Sequence, residues 1–124
     1  MDRKQWLASL KKGDKVCNKR YDRWEGEDVY EFYEIKNITN TGKIRLDNDI
    51  LLDNNGHYSK YENWMSIDYK IEPITDDVVK YETARKRKRS TIREIKAIKD
   101  MVNFNKLNQE ELEALLELFK KGSM

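Results

Sequence analysis

The sequence predicts an α+β fold: a small SH3-like antiparallel β-barrel followed by a C-terminal helical tail, the tail comprising one long basic helix and one short amphipathic helix. Three observations carry this prediction. Short runs of β-branched and aromatic residues, punctuated by Gly, Asn and Asp, fill residues 15–72. From Thr75 the apolar spacing changes to three and four residues. Finally, 124 residues with 39% charged and 38% apolar side chains provide for one modest core.

Each element follows from its local pattern. Residues 2–10 predict a short helix, with Trp6, Leu7 and Leu10 at helical spacing and Gly13 as a stop. Residues 15–21 read as a first strand and 29–39 as a longer second one, separated by the charged turn Glu25-Gly26-Glu27-Asp28. In the second strand the apolar set moves from Tyr30 and Phe32 to Tyr33 and Ile35, which requires burial on both faces or a bulge. Residues 43–46 form a third strand and 50–52 a fourth, bounded by Asp47-Asn48-Asp49 and by Asn55-Gly56, a cue for a tight hairpin with positive φ at both positions. His57 to Trp64 reads as an aromatic-rich loop, with Trp64 partly in the core, and 65–72 as a last strand of strict alternation ending at Pro73.

Thr75 is placed to cap a helix whose first turn carries Asp76 and Asp77. The helical pattern continues through Ile92, Ile95 and Ile98. One helix, or two broken near Ser90 with Thr91 and Glu94 as a capping box, satisfies it, and a single helix is preferred. Asn108 and Glu111 form a second capping-box pattern ahead of Leu112, Leu115, Leu116 and Phe119, while Gly122-Ser123-Met124 reads as a disordered or non-native end. Residues 1–74 thus form helix plus barrel and 75–121 the tail, within a single structural unit.

Four segments, Leu10-Lys-Lys-Gly-Asp-Lys-Val16, Thr41-Gly-Lys-Ile-Arg-Leu46, Ile71-Glu-Pro-Ile-Thr75 and Leu107-Asn-Gln-Glu-Glu-Leu-Glu-Ala-Leu-Leu116, resemble a loose group of small phage and prophage proteins of unassigned function. The resemblance covers most of the chain in order. It implies phage origin and the barrel-plus-tail layout, and it brings no catalytic residues with it. The sequence departs from that pattern in the acidic stretch 25–34 and in the aromatic stretch 58–64.

Composition narrows the function classes. No apolar run is long enough for a membrane span or a signal peptide, so the cytoplasm, here of a bacterial host, is expected. Cys17 is the only cysteine, which excludes an intrachain disulfide and a thiolate zinc cluster. His57 is the only histidine and follows a turn, so a nucleophile, base and orienting group cannot be assembled around it. Asp47, Asp49, Asp53 and Asn55 lack the glycine and distal glutamate of a calcium loop, and there is no glycine-rich phosphate loop. The expectation is a protein without enzymatic activity, cofactor or metal.

The net charge of +2 conceals opposing blocks. Residues 1–23 hold eight basic and three acidic side chains, 24–83 six and fourteen, 84–99 eight and one, and 100–124 three and five. Arg85, Arg89, Arg93 and Lys96 line up along one side of a helix, with Lys86 beside them, as a stripe suited to phosphate. Lys11, Lys12, Lys15, Lys19 and Arg20 are a second cationic set, and Tyr58 and Tyr61 are candidate stacking or anchoring residues. The acidic middle is suited to a basic protein groove. The expected function is a phage-type inhibitor of a host nucleic-acid-processing or defence nucleoprotein complex, anti-CRISPR-like in its logic. The alternative is a direct, sequence-independent nucleic-acid-binding module. The bland reading of the stripe is a solvated helix face. The chain is expected to be a monomer, or a dimer through an apolar face of the last helix.

Overall fold

In the computed structural model of the chain, residues 2–62 and 65–123 are described. The expectation for Trp64 lies outside them. The chain divides into two compact units, Met1–Ala84 and Arg85–Met124. The division falls within the long helix, later than the 74/75 boundary at which the periodicity changes.

The first unit is a nearly closed six-stranded antiparallel barrel, as the strand pattern predicts. Helix α1 (Arg3–Ser9) precedes strands β1 (Lys15–Asp22), β2 (Glu27–Ile38), β3 (Ile44–Leu46), β4 (Leu51–Leu52), β5 (His57–Glu62) and β6 (Met65–Glu72). They lie in the order β4-β3-β2-β1-β6-β5. The core is Val16, Ile35, Ile44, Leu46, Leu52 and Ile71, with Trp6, Leu7 and Leu10 of the α1 segment and Tyr33, Tyr58 and Tyr69 packed around it. The helix caps one end of the barrel because its three apolar residues share a face and Asp2 and Gln5 close a capping box at its start. Arg3 fastens it: its guanidinium donates to the Ile71 carbonyl at 2.6 Å and to the Asn55 carbonyl at 2.8 Å.

Two sequence expectations are corrected here. The segment after Asn55-Gly56 is not a loop: His57–Glu62 is β5, in register with β6 from His57 opposite Lys70 to Glu62 opposite Met65. The Asn55-Gly56 turn is not a two-residue hairpin, since only Gly56 has positive φ (70°). The Asp53 carbonyl accepts from the Gly56 amide, and the Asp53 amide bonds the His57 carbonyl, as in a turn followed by a glycine bulge. Of the two devices foreseen for β2, burial on the second face is found where the apolar set changes; from Glu27 to Glu34 the pairing with β1 keeps an unbroken register, and the bulge lies beyond, after Ile35. The register with β3 shifts between Ile35 and Asn37, and Tyr30, on the face opposite Val29 and Ile35, is covered by Tyr81, ring centroids 5.5 Å apart.

The hairpin β1–β2 is longer than the sheet that flanks it. β1 and β2 pair from Lys15 opposite Glu34 to Asp22 opposite Glu27, whereas β6 pairs with β1 only at Cys17 and Asn18. Where β6 diverges, the buried Asn18 side chain takes over the ladder by accepting the Lys70 amide at 3.0 Å. Beyond the reach of β3, the outer edge of β2 is covered by helix α2 (Asp76–Ile98). The Glu82 carboxylate, 2% exposed, accepts the Tyr30 amide at 2.7 Å, and the Tyr81 hydroxyl donates to the Asp28 carbonyl at 2.6 Å. An edge strand is thereby closed by side chains instead of another strand.

Helix α2 starts where predicted, with the Thr75 hydroxyl accepting the Val78 amide, and runs unbroken to Ile98. The Thr91–Glu94 capping box is not made, because the Thr91 hydroxyl donates to the Arg87 carbonyl one turn back. In the second unit two short 3-10 turns, Lys99–Met101 and Phe104–Lys106, lead to α3 (Gln109–Gly122), whose Asn108–Glu111 capping box forms as the sequence predicts. Among the described residues no helix is long and apolar enough to cross a membrane.

Two outcomes test this account. A Cβ on Gly56 would meet Ile71 and Leu7 at 2.9 Å and Arg3 at 3.0 Å, whereas one on Gly13, also at positive φ, meets nothing within 4 Å. Gly56→Ala is therefore expected to lose about 2 kcal/mol or more in urea unfolding, from overpacking added to backbone strain, and Gly13→Ala only about 1 kcal/mol. Glu82→Leu, which strands the Tyr30 amide, should cost about 1 to 3 kcal/mol, and Glu82→Gln, which keeps an acceptor, distinctly less. Equal losses for both Glu82 variants would contradict the edge-closing role.

Candidate functional site

The cationic stripe is divided by the fold. Arg85 and Arg89 are half-buried, and both, like Lys86, are already engaged in interactions within the chain. Arg93 and Lys96 are exposed and, among the described residues, carry no ion pair; Arg87, Lys88 and Lys99 are exposed too. The helical spacing anticipated the alignment of the stripe but not the engagement of its first half.

The second cationic set is not a patch. Lys11 and Lys12 are exposed before the start of β1, while Lys19 and Arg20 lie toward its other end, committed to the hairpin. Lys19 pairs with Asp28 at 3.6 Å, and Arg20 reaches Glu31 at 3.1 Å and Asp22 at 3.8 Å. Asp28 and Glu31 are diagonal cross-strand partners and Asp22 a neighbour in the same strand, so acidic side chains of the hairpin neutralise its basic ones. Lys15, in the same strand, is exposed.

The two tyrosines separate in the same way. Tyr58 belongs to the wall of the core, its ring 6.1 Å from that of Tyr69, which in turn meets Tyr33 at 5.9 Å. Tyr61, 75% exposed, stands on the opposite, wet face of β5. His57 shares that wet face, its Nε2 2.8 Å from the Asp68 carboxylate in an exposed cross-strand pair. Asp47, Asn48 and Asp49 serve a turn: Asn48 accepts the Ile50 amide, and Lys36 donates to Asp49 at 2.7 Å, which holds that carboxyl below its ordinary range.

Trp24, which the sequence places beside the acidic turn and reads, like Trp64, as partly in the core, is instead displayed to solvent. Its side chain is 99% exposed at the tip of the β1–β2 hairpin, with Tyr21 beside the tip at 62%. The tip is held in place. The Asp22 carboxylate accepts the Trp24 amide at 2.9 Å and the Glu25 amide at 3.1 Å, and the Gly26 amide bonds the Asp22 carbonyl at 2.7 Å with φ of 68°. The signal was present in the spacing of Asp22 and Gly26, which confines Trp24 to a turn from which no core is within reach. A large apolar ring displayed on an immobilised turn is suited to anchor a partner.

An open groove of about 740 Å³ runs between α1 and the turns before β3 and β5, with Leu7, Leu10, Ile38 and Ile44 as its apolar lining. Its guanidinium, Arg3, is already spent on two backbone carbonyls, which leaves the groove shaped chiefly by apolar contact.

Cys17 is sealed in the core, its thiol directed at the Glu72 and Pro73 carbonyls at 3.5 and 3.6 Å. Burial, with a smaller contribution from Glu72, pushes it up to about 11 from its ordinary 9.0. The folded state therefore keeps a proton that the unfolded chain releases above about pH 9, so this contribution to stability is complete below that pH and is lost as pH rises toward 11. The native protein should accordingly resist a thiol-specific reagent at pH 8 that labels the urea-unfolded chain at once. The fall in stability between pH 9 and 11 should be shallower in Cys17→Ala, and rapid labelling of the native thiol would contradict the assignment. Comparison with protein-family models, with curated proteins and with solved structures returned no match for this chain.

Proposed function

We propose that this chain is a binding protein, a phage-type inhibitor of a host nucleic-acid-processing or defence nucleoprotein complex, and that it docks through the tip of the β1–β2 hairpin. The observation that carries this reading is Trp24, fully exposed on a turn pinned by Asp22. Ordering a flexible loop on binding costs free energy; a tip already fixed avoids that cost, and a tryptophan supplies the large contact area typical of interface hot spots. The surroundings favour a basic counter-surface. Glu25 and Glu27 follow Trp24 within the turn and the start of β2, and a protein groove that normally holds nucleic acid offers both cations and stacking surfaces. The resemblance to small phage proteins points in the same direction. A catalytic role has less support, since the one thiol is buried and kept protonated at neutral pH.

A second reading, direct binding to nucleic acid, is favoured by the exposed cations Arg87, Lys88, Arg93, Lys96 and Lys99 of the tail. Its signature is salt dependence. With Arg85, Lys86 and Arg89 already engaged, five contacting cations would give a slope of log affinity against log salt near about −4.5.

The experiment combines capture and mobility shift. Immobilised protein is expected to retain a nucleic-acid-binding complex from bacterial lysate, and Trp24→Ala to retain at least about tenfold less, the loss expected of an anchor residue. Bare DNA and RNA are expected not to shift at physiological salt. Steep, salt-sensitive shifts abolished by Arg93→Glu with Lys96→Glu, together with capture indifferent to Trp24, would replace this reading with the second.

A further inference from the structure

From Arg85 to Ser123 no described residue is buried. Helix α3 nevertheless carries Leu112, Leu115, Leu116 and Phe119 at three- and four-residue spacing, and Leu116 and Phe119 are 53% and 62% exposed. Leu112 and Leu115 are half-buried, so Leu116 and Phe119 are the part of the stripe that stands open to solvent. An isolated helix of 14 residues is marginal in water, so an apolar stripe of this length calls for cover.

The charges of the helix specify what covers it. Its first turn carries Glu110 and Glu111 and its last Lys120 and Lys121. Glu113 and Lys120 are seven residues apart and therefore lie on the same flank of the stripe, near its two ends. A second α3 laid antiparallel about a two-fold axis would set Leu112 opposite Phe119 and Leu115 opposite Leu116. The same operation brings Glu113 of each copy to Lys120 of the other, twice. A parallel pairing about a two-fold axis would instead carry the two Glu113–Lys120 flanks to opposite sides of the seam, out of reach of one another, and would align the two helix dipoles unfavourably. The present partners of the two residues are weak and replaceable. Lys120 stands 3.8 Å from Glu117, both largely exposed, and Glu113 accepts from Gln109 at 3.1 Å.

We propose that α3 is a self-association surface, through which two copies of this chain pair antiparallel with Leu112, Leu115, Leu116 and Phe119 as the seam and reciprocal Glu113–Lys120 ion pairs setting the direction. The inference is independent of the role of the hairpin tip. A helix of 14 residues spans about 21 Å, so the interface falls at the low end of specific interfaces, below about 1,200 Å², and the dimer is reversible and concentration-dependent.

Sedimentation equilibrium of the full chain from about 10 to about 500 µM tests it, this range bracketing the dissociation constants of small interfaces. A monomer–dimer equilibrium is expected, with Leu116→Glu monomeric throughout. Glu113→Lys alone and Lys120→Glu alone should each weaken association by about three- to tenfold, and the two together should restore it, since the reversed pairs are complementary again. Because all three positions are exposed, circular dichroism should show the fold unchanged, and the charge pair provides a test that does not rely on Leu116. A monomer at every concentration, a dimer indifferent to Leu116→Glu, or a double reversal no better than the single ones would each overturn the proposal.

Discussion

A buried carboxylate on the edge of a strand organises this molecule. The β1–β2 hairpin extends past the strands that flank it, and a free edge in that position would expose the Tyr30 amide and the Asp28 carbonyl. Glu82 and Tyr81 satisfy both, and to do so α2 must begin against β2 immediately after the barrel closes. The helix then brings Tyr81 over Tyr30, which covers the second face of the hairpin. With both its edge and one face supported, the hairpin can carry a defined turn at its end, and that turn displays Trp24.

The barrel beneath it is closed by a comparable economy of groups. Arg3 bridges α1 to two carbonyls, one in β6 and one in the turn before β5, and Gly56 leaves room for Leu7, Ile71 and the guanidinium to meet. No described side chain is left buried with an unpartnered polar atom. The core itself is small, as expected where 39% of the residues are charged.

Charge in this protein is largely settled locally. Lys19 with Asp28, Arg20 with Glu31 and Lys36 with Asp49 pair across strands or turns, so the opposing blocks of the linear sequence cancel over short distances in the barrel. What stands exposed is narrower: cations on the second half of α2, an aromatic ring at the hairpin tip, and an amphipathic helix with opposite charges at its two ends. The first two offer two distinct kinds of contact to a partner. The third is suited to its own copy, because its charge pattern is complementary to itself when reversed.

Local pattern alone determined the elements: the alternation of 65–72, the cap at Thr75, the capping box of Asn108 and Glu111, and the barrel followed by helices were all legible, because each depends on residues within a turn or two of one another. The change of apolar face in β2 was legible as burial on both sides, whereas the bulge after Ile35 was not. The strand at His57–Glu62 was not, since its interleaved polar residues belong to a wet face that exists only once β6 pairs with it. The candidate site was legible in part. Arg93 and Lys96 stand exposed as expected, but Arg85 and Arg89 are already engaged, and Lys19, Arg20 and Tyr58 are held by partners on neighbouring strands that the linear order does not place beside them. Residue type and spacing therefore decided which surfaces this protein could build. Tertiary structure alone decided which side chains are already taken, because an ion pair or a ring contact depends on distance in space, and strands brought together from far apart in the chain set that distance.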